Sequence, residues 1–158
     1  MNEEKALAIQ ADVRDVTFNM AQADGLAALK QAETVVKYMA DKCSGPNFIS
    51  NIQGKRYPLV TWWTTVGGAL GLFPVEVSSV KREGEVLAYE AVVEVRHGDQ
   101  VVSRASAICS RDEQTWKRRD EYAIKSMATT RATGKAYRIA FAFLAVMAGL
   151  EPTPAEEM

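Results

Sequence analysis

The sequence predicts an α+β domain in which an antiparallel β-meander and a β-hairpin pack against a long C-terminal α-helix. Three observations predict it. Residues 122–149, YAIKSMATTRATGKAYRIAFAFLAVMAG, are Ala-rich and free of proline for about seven helical turns. Leu87, Tyr89, Ala91, Val93 and Val95 recur at every second position, the period of a half-buried strand. Gly54 with Lys55, and Gly98 with Asp99, each separate two strand-like runs, and glycine in the first loop position suits a type II′ turn.

Taken in order, the 158 residues read as a single domain, with an N-terminal helical segment over 1–45 and the core over 46–158. Residues 1–20 carry scattered apolar positions (Leu7, Ile9, Val13, Val16, Phe18), consistent with a short helix or an arm. Leu26, Leu29, Val36, Met39 and Cys43 recur at helical spacing, so 24–43 is predicted helical, with Asp24 as cap and Gly45 and Pro46 as stop. Residues 48–60 form the predicted hairpin, and Pro58 makes its second strand an edge or marks its end. TWWTTVGGALG, 61–71, reads as a short helix closed by Gly71. Only one of the adjacent Trp62 and Trp63 is expected to point fully inward.

Strands are predicted over 74–81, 85–97 and 100–110. A strict two-residue turn at Gly98 places Arg104 beside Val93 on the apolar face, so either the register holds a bulge or Arg104 lies near a sheet edge. The connection 111–120, RDEQTWKRRD, is charged and contains one Trp. In the ending EPTPAEEM, two prolines stop the long helix and the remainder is acidic.

Sorting the long helix by its 100° step puts Thr129, Ala132, Ala136, Ala140, Phe143, Leu144 and Met147 on a core face. Arg131, Lys135 and Arg138 fall within an arc of roughly 60° on the opposite side, and no acid lies between Glu121 and Glu151. Three basic residues on a helix are commonly just a solvated face, but solvated helices usually interleave Glu with Lys, so a stripe of one sign also suggests a polyanion, nucleic acid above all. Gly134 interrupts that stripe at about 1 kcal/mol relative to alanine, which is tolerated where a backbone, ligand or subunit comes close. The net charge of −1 confines any nucleic-acid surface to a local patch. Lys55 and Arg56 at a hairpin tip, and Lys117, Arg118 and Arg119 beside Trp116, are candidates to join the stripe in one groove. Trp116, Tyr57, Trp62 and Trp63 are the aromatics available to stack on bases.

Catalytic patterns find little support. The single histidine, His97, precedes a turn and reads as an exposed turn residue. GxSxG, HExxH, Walker and GxGxxG motifs are missing from the sequence, and VGGALG, without a following Lys–Ser/Thr, reads as close helix packing. Cys43 and Cys109 have no CxxC partner and read as buried free thiols in a reducing compartment, with no zinc site expected. No run is long and apolar enough for a membrane span and no signal peptide is visible, so a cytoplasmic, non-membrane protein is expected.

A basic hairpin, a short helix ending in LGLFP, a three-stranded meander and a long basic helix follow one another in the order seen in single-strand annealing proteins. Over residues 47–158 the chain resembles the superfamily of the Rad-fifty-two recombination protein and the phage Erf proteins. FISNIQGKRYPLVTWWTTVGGALGLF is similar to that family's hairpin and helix, and SMATTRATGKAYRIAFAFLAVMAGL to its long helix. MAGLEPTPAEEM resembles the ending of phage and plasmid proteins of this kind. The resemblance implies a recombination and repair protein that anneals single-stranded DNA as a ring or helical filament, is not an enzyme and uses no nucleotide cofactor. It matches Lys135 and Arg138 to basic residues lining the DNA groove, and Lys55 or Arg56 to one on the hairpin. Arg131 is included only for its helical face. The sequence departs from the pattern in its short hairpin, with Asn51 where a cation is expected, and in lacking an extension that recruits a recombinase. Rival readings are a small-molecule-binding α+β domain and a mobile-element scaffold that assembles without DNA. The small residues of the long helix suit close subunit contacts, so a homo-oligomer beyond a dimer is expected.

Overall fold

A computed structural model of the chain describes residues 25–158. The expected short helix or arm within residues 1–20 lies outside the described residues. The chain forms α1 (Gly25–Lys42), a hairpin of β1 (Ile49–Ile52) and β2 (Lys55–Pro58), then α2 (Val60–Ala69). A meander of β3 (Phe73–Lys81), β4 (Ala88–His97) and β5 (Gln100–Ser110) follows, then α3 (Glu121–Met147) and a 3₁₀ turn, Ala155–Glu157. The strands make two antiparallel sheets, β1-β2 and β3-β4-β5, and α3 lies across the meander, as the sequence predicts.

The meander's inner face explains why an Ala-rich helix covers it. Val93 pairs with Ala105, Ala91 with Ala107, Tyr89 with Cys109 and Val95 with Ser103, so β5 offers only small side chains inward. The helix answers with Ala128, Ala132 and Ala136, all fully buried. Small residues on both surfaces let the backbones approach, and Ser103 Oγ donates to the Ala136 carbonyl at 2.7 Å. Helix periodicity places the buried face on Ile124, Ala128, Ala132, Ala136, Tyr137, Phe141, Leu144 and Ala145. Thr129 and Ala140, assigned to the core from sequence, are half-buried; Phe143 is half-buried and Met147 exposed beyond the bend of α3 at Phe141 (φ −132°, ψ 21°), where Leu144 and Ala145 take the buried face.

The register contains the bulge that the sequence left open. Val95 pairs with Ser103 but Arg96 with Val101, so Val102 is extra and Arg104 stands opposite Glu94 on the outer face. There Glu94, 7% exposed, is covered by Arg96 at 2.6 Å and Arg104 at 3.6 Å. The turn at Gly98 (φ +55°) fits the expected type II′ geometry. The hairpin turn differs by one residue: Ile52 pairs with Lys55, leaving Gln53 (φ +51°) and Gly54 (φ +78°) as a type I′ loop. Lys55 is therefore a strand residue.

α2 and α3 end alike. In α2 the Leu72 N–H bonds the Gly67 carbonyl at 2.8 Å across Gly71; in α3 the Leu150 N–H bonds the Ala145 carbonyl at 2.9 Å across Gly149. Both glycines have positive φ, and the leucine after each is buried, the pattern of a Schellman stop. Trp62 and Trp63 are both buried, contrary to the expectation of one, because other elements cover α2 on more than one side; their rings meet edge-to-face at 5.0 Å. His97 is half-buried rather than exposed, its ring lying over Gly71. Cys43 and Cys109 are buried free thiols, and burial pushes Cys109 up to about 11.

Gly67 accounts for VGGALG as packing. A Cβ there would stand 2.7 Å from Cζ of Tyr137, whose ring fills the slot and whose hydroxyl donates to the Leu72 carbonyl at 3.0 Å. Gly67→Ala is expected to cost about 1–3 kcal/mol through overpacking. Gly68→Ala, where a Cβ meets nothing within 4 Å, should be neutral or stabilise by up to about 1 kcal/mol. Denaturant unfolding of the two variants checks this; equal effects would show that the Tyr137 slot is not what Gly67 serves.

Candidate nucleic-acid interface

The helix periodicity that groups Arg131, Lys135 and Arg138 is sound, but all three find partners elsewhere in the chain, Arg131 and Arg138 on acids and Lys135 on a carbonyl. Arg131, with a side chain 14% exposed, donates to Glu113 through two nitrogens, at 2.8 and 2.6 Å. It also donates to the Ile108 carbonyl at 2.9 Å and, through Nε, to the Glu156 carbonyl at 2.8 Å. Lys135 Nζ donates to the Ser106 carbonyl at 3.1 Å. Arg138 pairs with Glu157 at 3.5 Å. The stripe that lacks acids along the helix is thus met by Glu113 from the 111–120 connection and by Glu157 from the ending.

Two of those contacts close a sheet edge. The Arg111 N–H bonds the Leu87 carbonyl, and antiparallel pairs alternate between bonded and non-bonded, so Glu90–Ile108 and Val92–Ser106 are non-bonded pairs. The Ile108 and Ser106 carbonyls therefore point away from β4, along the free edge of β5. Arg131 and Lys135 satisfy them, and the Glu113 carboxylate accepts from the Ser110 N–H at 2.9 Å on the same edge.

Segment 151–158 fills the space between hairpin, α2 and α3. The Glu151 N–H bonds the Arg56 carbonyl at 2.9 Å, and Glu151 pairs with Lys55 at 3.3 Å. Glu156 accepts from the Val60 N–H at 2.8 Å, capping α2 where Leu59 offers no side-chain cap. Pro154 is fully buried against Gly134, where a Cβ would stand 2.9 Å from the proline's own Cβ. The glycine inside the stripe accommodates this segment.

The remaining predicted cations are differently placed. Lys117, Arg118 and Arg119 line an open concavity of about 500 Å3 with Gln114 and Thr115. All three are exposed, and among the described residues their side chains form no ion pair. The loop carrying them is held by successive turns, Trp116 N–H to the Glu113 carbonyl at 2.8 Å and Arg119 N–H to the Trp116 carbonyl at 3.1 Å. Arg111 reaches the Arg119 carbonyl at 3.1 Å, and Trp116 is half-buried against the core. Arg56 is exposed and its guanidinium is likewise unpaired among the described residues. The two sets are joined by a chain of contacts running from Glu113 through Arg131 and segment 151–158 to Arg56. Tyr57, Trp62 and Trp63 are buried, which leaves Trp116 as the most accessible of the aromatics considered for stacking.

The residues that sequence reasoning missed are acids: Glu113, Glu151, Glu156 and Glu157. The acidic ending was visible as a composition shift, but nothing local to it shows that it folds back. Among the described residues there is no cluster of three His, Cys, Asp or Glu able to hold a metal, and no helix is long and apolar enough to cross a membrane. Comparison with protein-family models, curated proteins and solved structures finds no match.

Charge and burial act oppositely on two of the acids. The hydrogen bond from Arg131 holds the Glu113 carboxyl below the usual carboxylate range against its partial burial. Its stabilising contribution is present above the ordinary carboxylate pKa and is lost as pH falls through the depressed one. Burial pushes the Glu156 carboxyl up, against the Val60 N–H that favours its charge. Its contribution is present below the ordinary value and is lost as pH rises through the raised one. Glu156→Gln, which retains an acceptor for Val60, should therefore be more stable than the parent at neutral pH and lose that advantage in acid. Urea titrations across pH 4–8 check the sign. Arg131→Ala should cost about 2–4 kcal/mol by leaving Glu113 and the Ile108 carbonyl unmatched, whereas Lys135→Ala should change stability by under about 0.5 kcal/mol. Equal losses in thermal unfolding would refute the distinction.

Proposed function

We propose that the protein binds single-stranded DNA, assembles into a ring or helical filament of many copies and anneals complementary strands without ATP or another cofactor, as a cytoplasmic recombination protein of phage or plasmid type. The observation that carries this reading is the loop cluster of Lys117, Arg118 and Arg119, three exposed cations with no acid paired to them among the described residues, beside a half-buried Trp116. Concentrated unpaired charge on a protein of net charge −1 is a local anion site. Arg56 extends it toward the hairpin. Lys135 and Arg138 retain donors beyond their present contacts, whereas Arg131 is committed to the scaffold and is assigned no DNA contact.

In this reading cations hold phosphates and spread the strand, leaving base edges open to a second strand. Duplex formation supplies the free energy; the protein supplies alignment and charge neutralisation. Neither step requires a proton transfer or a metal. Assembly is supported by apolar side chains on the outer sheet face, where Phe73, Val80 and Ile108 are 59%, 59% and 40% exposed.

Replacing Lys117, Arg118 and Arg119 together with alanine should weaken binding to oligo(dT). At about 0.7 per phosphate contact, it should remove roughly 2 units from the slope of log affinity against log salt. Lys30 and Lys37, outside the cluster on α1, serve as the control pair. Equal weakening by both sets would reduce the effect to net charge and defeat the assignment. A mass measurement with and without oligo(dT) tests assembly, and a monomer in both conditions at micromolar concentration would exclude it.

A further inference from the structure

We propose that segment 151–158 is a built-in competitor for the polyanion, occupying the track between hairpin and α3 until a nucleic-acid strand displaces it; this rests on the DNA-binding reading above. Each polar contact the segment makes with Lys55, Val60 and Arg138 is one that a phosphate oxygen could make, whereas its contact with Arg131 belongs to the scaffold. Glu151 sits on Lys55, Glu156 on the Val60 N–H at the start of α2, the Glu156 carbonyl on Arg131, and Glu157 on Arg138. All three cations held this way, Lys55, Arg131 and Arg138, are ones that the sequence nominates for DNA, and Lys55 and Arg138 are the two not committed to the scaffold.

The segment fits that track imperfectly. Glu156 Oε2 and Glu157 Oε1 are buried with no hydrogen-bond partner. A buried carboxylate oxygen without a donor has lost its water and gained nothing in return. A phosphodiester lying on the same cations keeps an oxygen directed to solvent and avoids that loss. The anchors are of another kind: Leu150 and Pro154 are buried, and Pro154 is seated on Gly134. Apolar anchoring with imperfect polar seating describes a strap that holds in the absence of a strand and yields to a multivalent anion. The sites it yields are added to the loop cluster, so occupancy of the loop and release of the strap favour each other.

The test uses the full chain and fluorescent oligo(dT), with amide exchange followed at Glu151 and Val60. Glu151→Gln with Glu157→Gln keeps side-chain volume and releases Lys55 and Arg138. It should bind about 3- to 10-fold more tightly at low salt, given the modest strength of partly exposed pairs. Its salt slope should steepen by roughly 1.4 units, two contacts at about 0.7 each. Gly134→Ala, which unseats Pro154 without changing charge, should also tighten binding. In the parent protein, oligo(dT) should accelerate exchange at both amides. If the parent binds oligo(dT) while both variants bind as it does and the amides stay protected, the segment is a fixed strap; the competitor is overturned and the DNA reading stands. If neither parent nor variants bind, the DNA reading fails and the inference falls with it.

Discussion

Arg131 is the residue on which the arrangement depends. Its guanidinium bonds three segments distant in sequence: the edge of β5 through Ile108, the 111–120 connection through Glu113, and the ending through the Glu156 carbonyl. Only arginine has the geometry for this. Its planar fork meets a carboxylate with two parallel donors and still has Nε for a third direction, which a lysine ammonium cannot match. The helix carrying it thereby closes the open edge of β5, with Lys135 taking the next outward carbonyl. The opposite edge of the meander is blunted by other means: Pro74, a bulge between Glu76 and Ser78, and Lys81.

That arrangement is available only because α3 lies close to the sheet. Ala128, Ala132 and Ala136 face Ser103, Ala105, Ala107 and Cys109, and larger side chains on either surface would lift the helix. Tyr137 then reaches across to α2, into the space that Gly67 leaves empty, and its hydroxyl closes on the Leu72 carbonyl just beyond the α2 stop. Burial pushes that hydroxyl up to about 12, so it stays a donor throughout the physiological range. Two glycines on two helices therefore serve the same end by different partners: Gly67 admits a side chain of α3, and Gly134 admits the chain that follows it.

The fold was legible wherever the signal was local. Alternation from Leu87 to Val95 marked β4, and Gly71 marked the end of α2 through the left-handed conformation it adopts; α3 instead stops at Gly149, ahead of the prolines to which the sequence assigned its end. Errors arose where three-dimensional context outweighed local pattern. Trp62 and Trp63 cannot share one helix face, yet both are buried because α2 is covered on more than one side. Gln53 accepts positive φ so that the hairpin twist matches a type I′ loop, which no propensity favours for glutamine. The site was legible as a set of cations and illegible as a set of pairs. Periodicity gives the face of Arg131, Lys135 and Arg138, while Glu113 and Glu157 reach them from residues 18 and 19 positions away, beyond any helical spacing.

The three stripe residues end up graded rather than equivalent. Arg131 has four hydrogen bonds from five N–H donors and a largely buried side chain, so a phosphate would have to break the scaffold to reach it. Arg138 makes one longer pair at 3.5 Å, to Glu157 of segment 151–158. Lys135 places one of three donors on a carbonyl, an uncharged partner, and keeps its charge. Counter-charge along the helix is therefore uneven: Arg131 meets Glu113, Lys135 meets no acid among the described residues, and Arg138 meets Glu157.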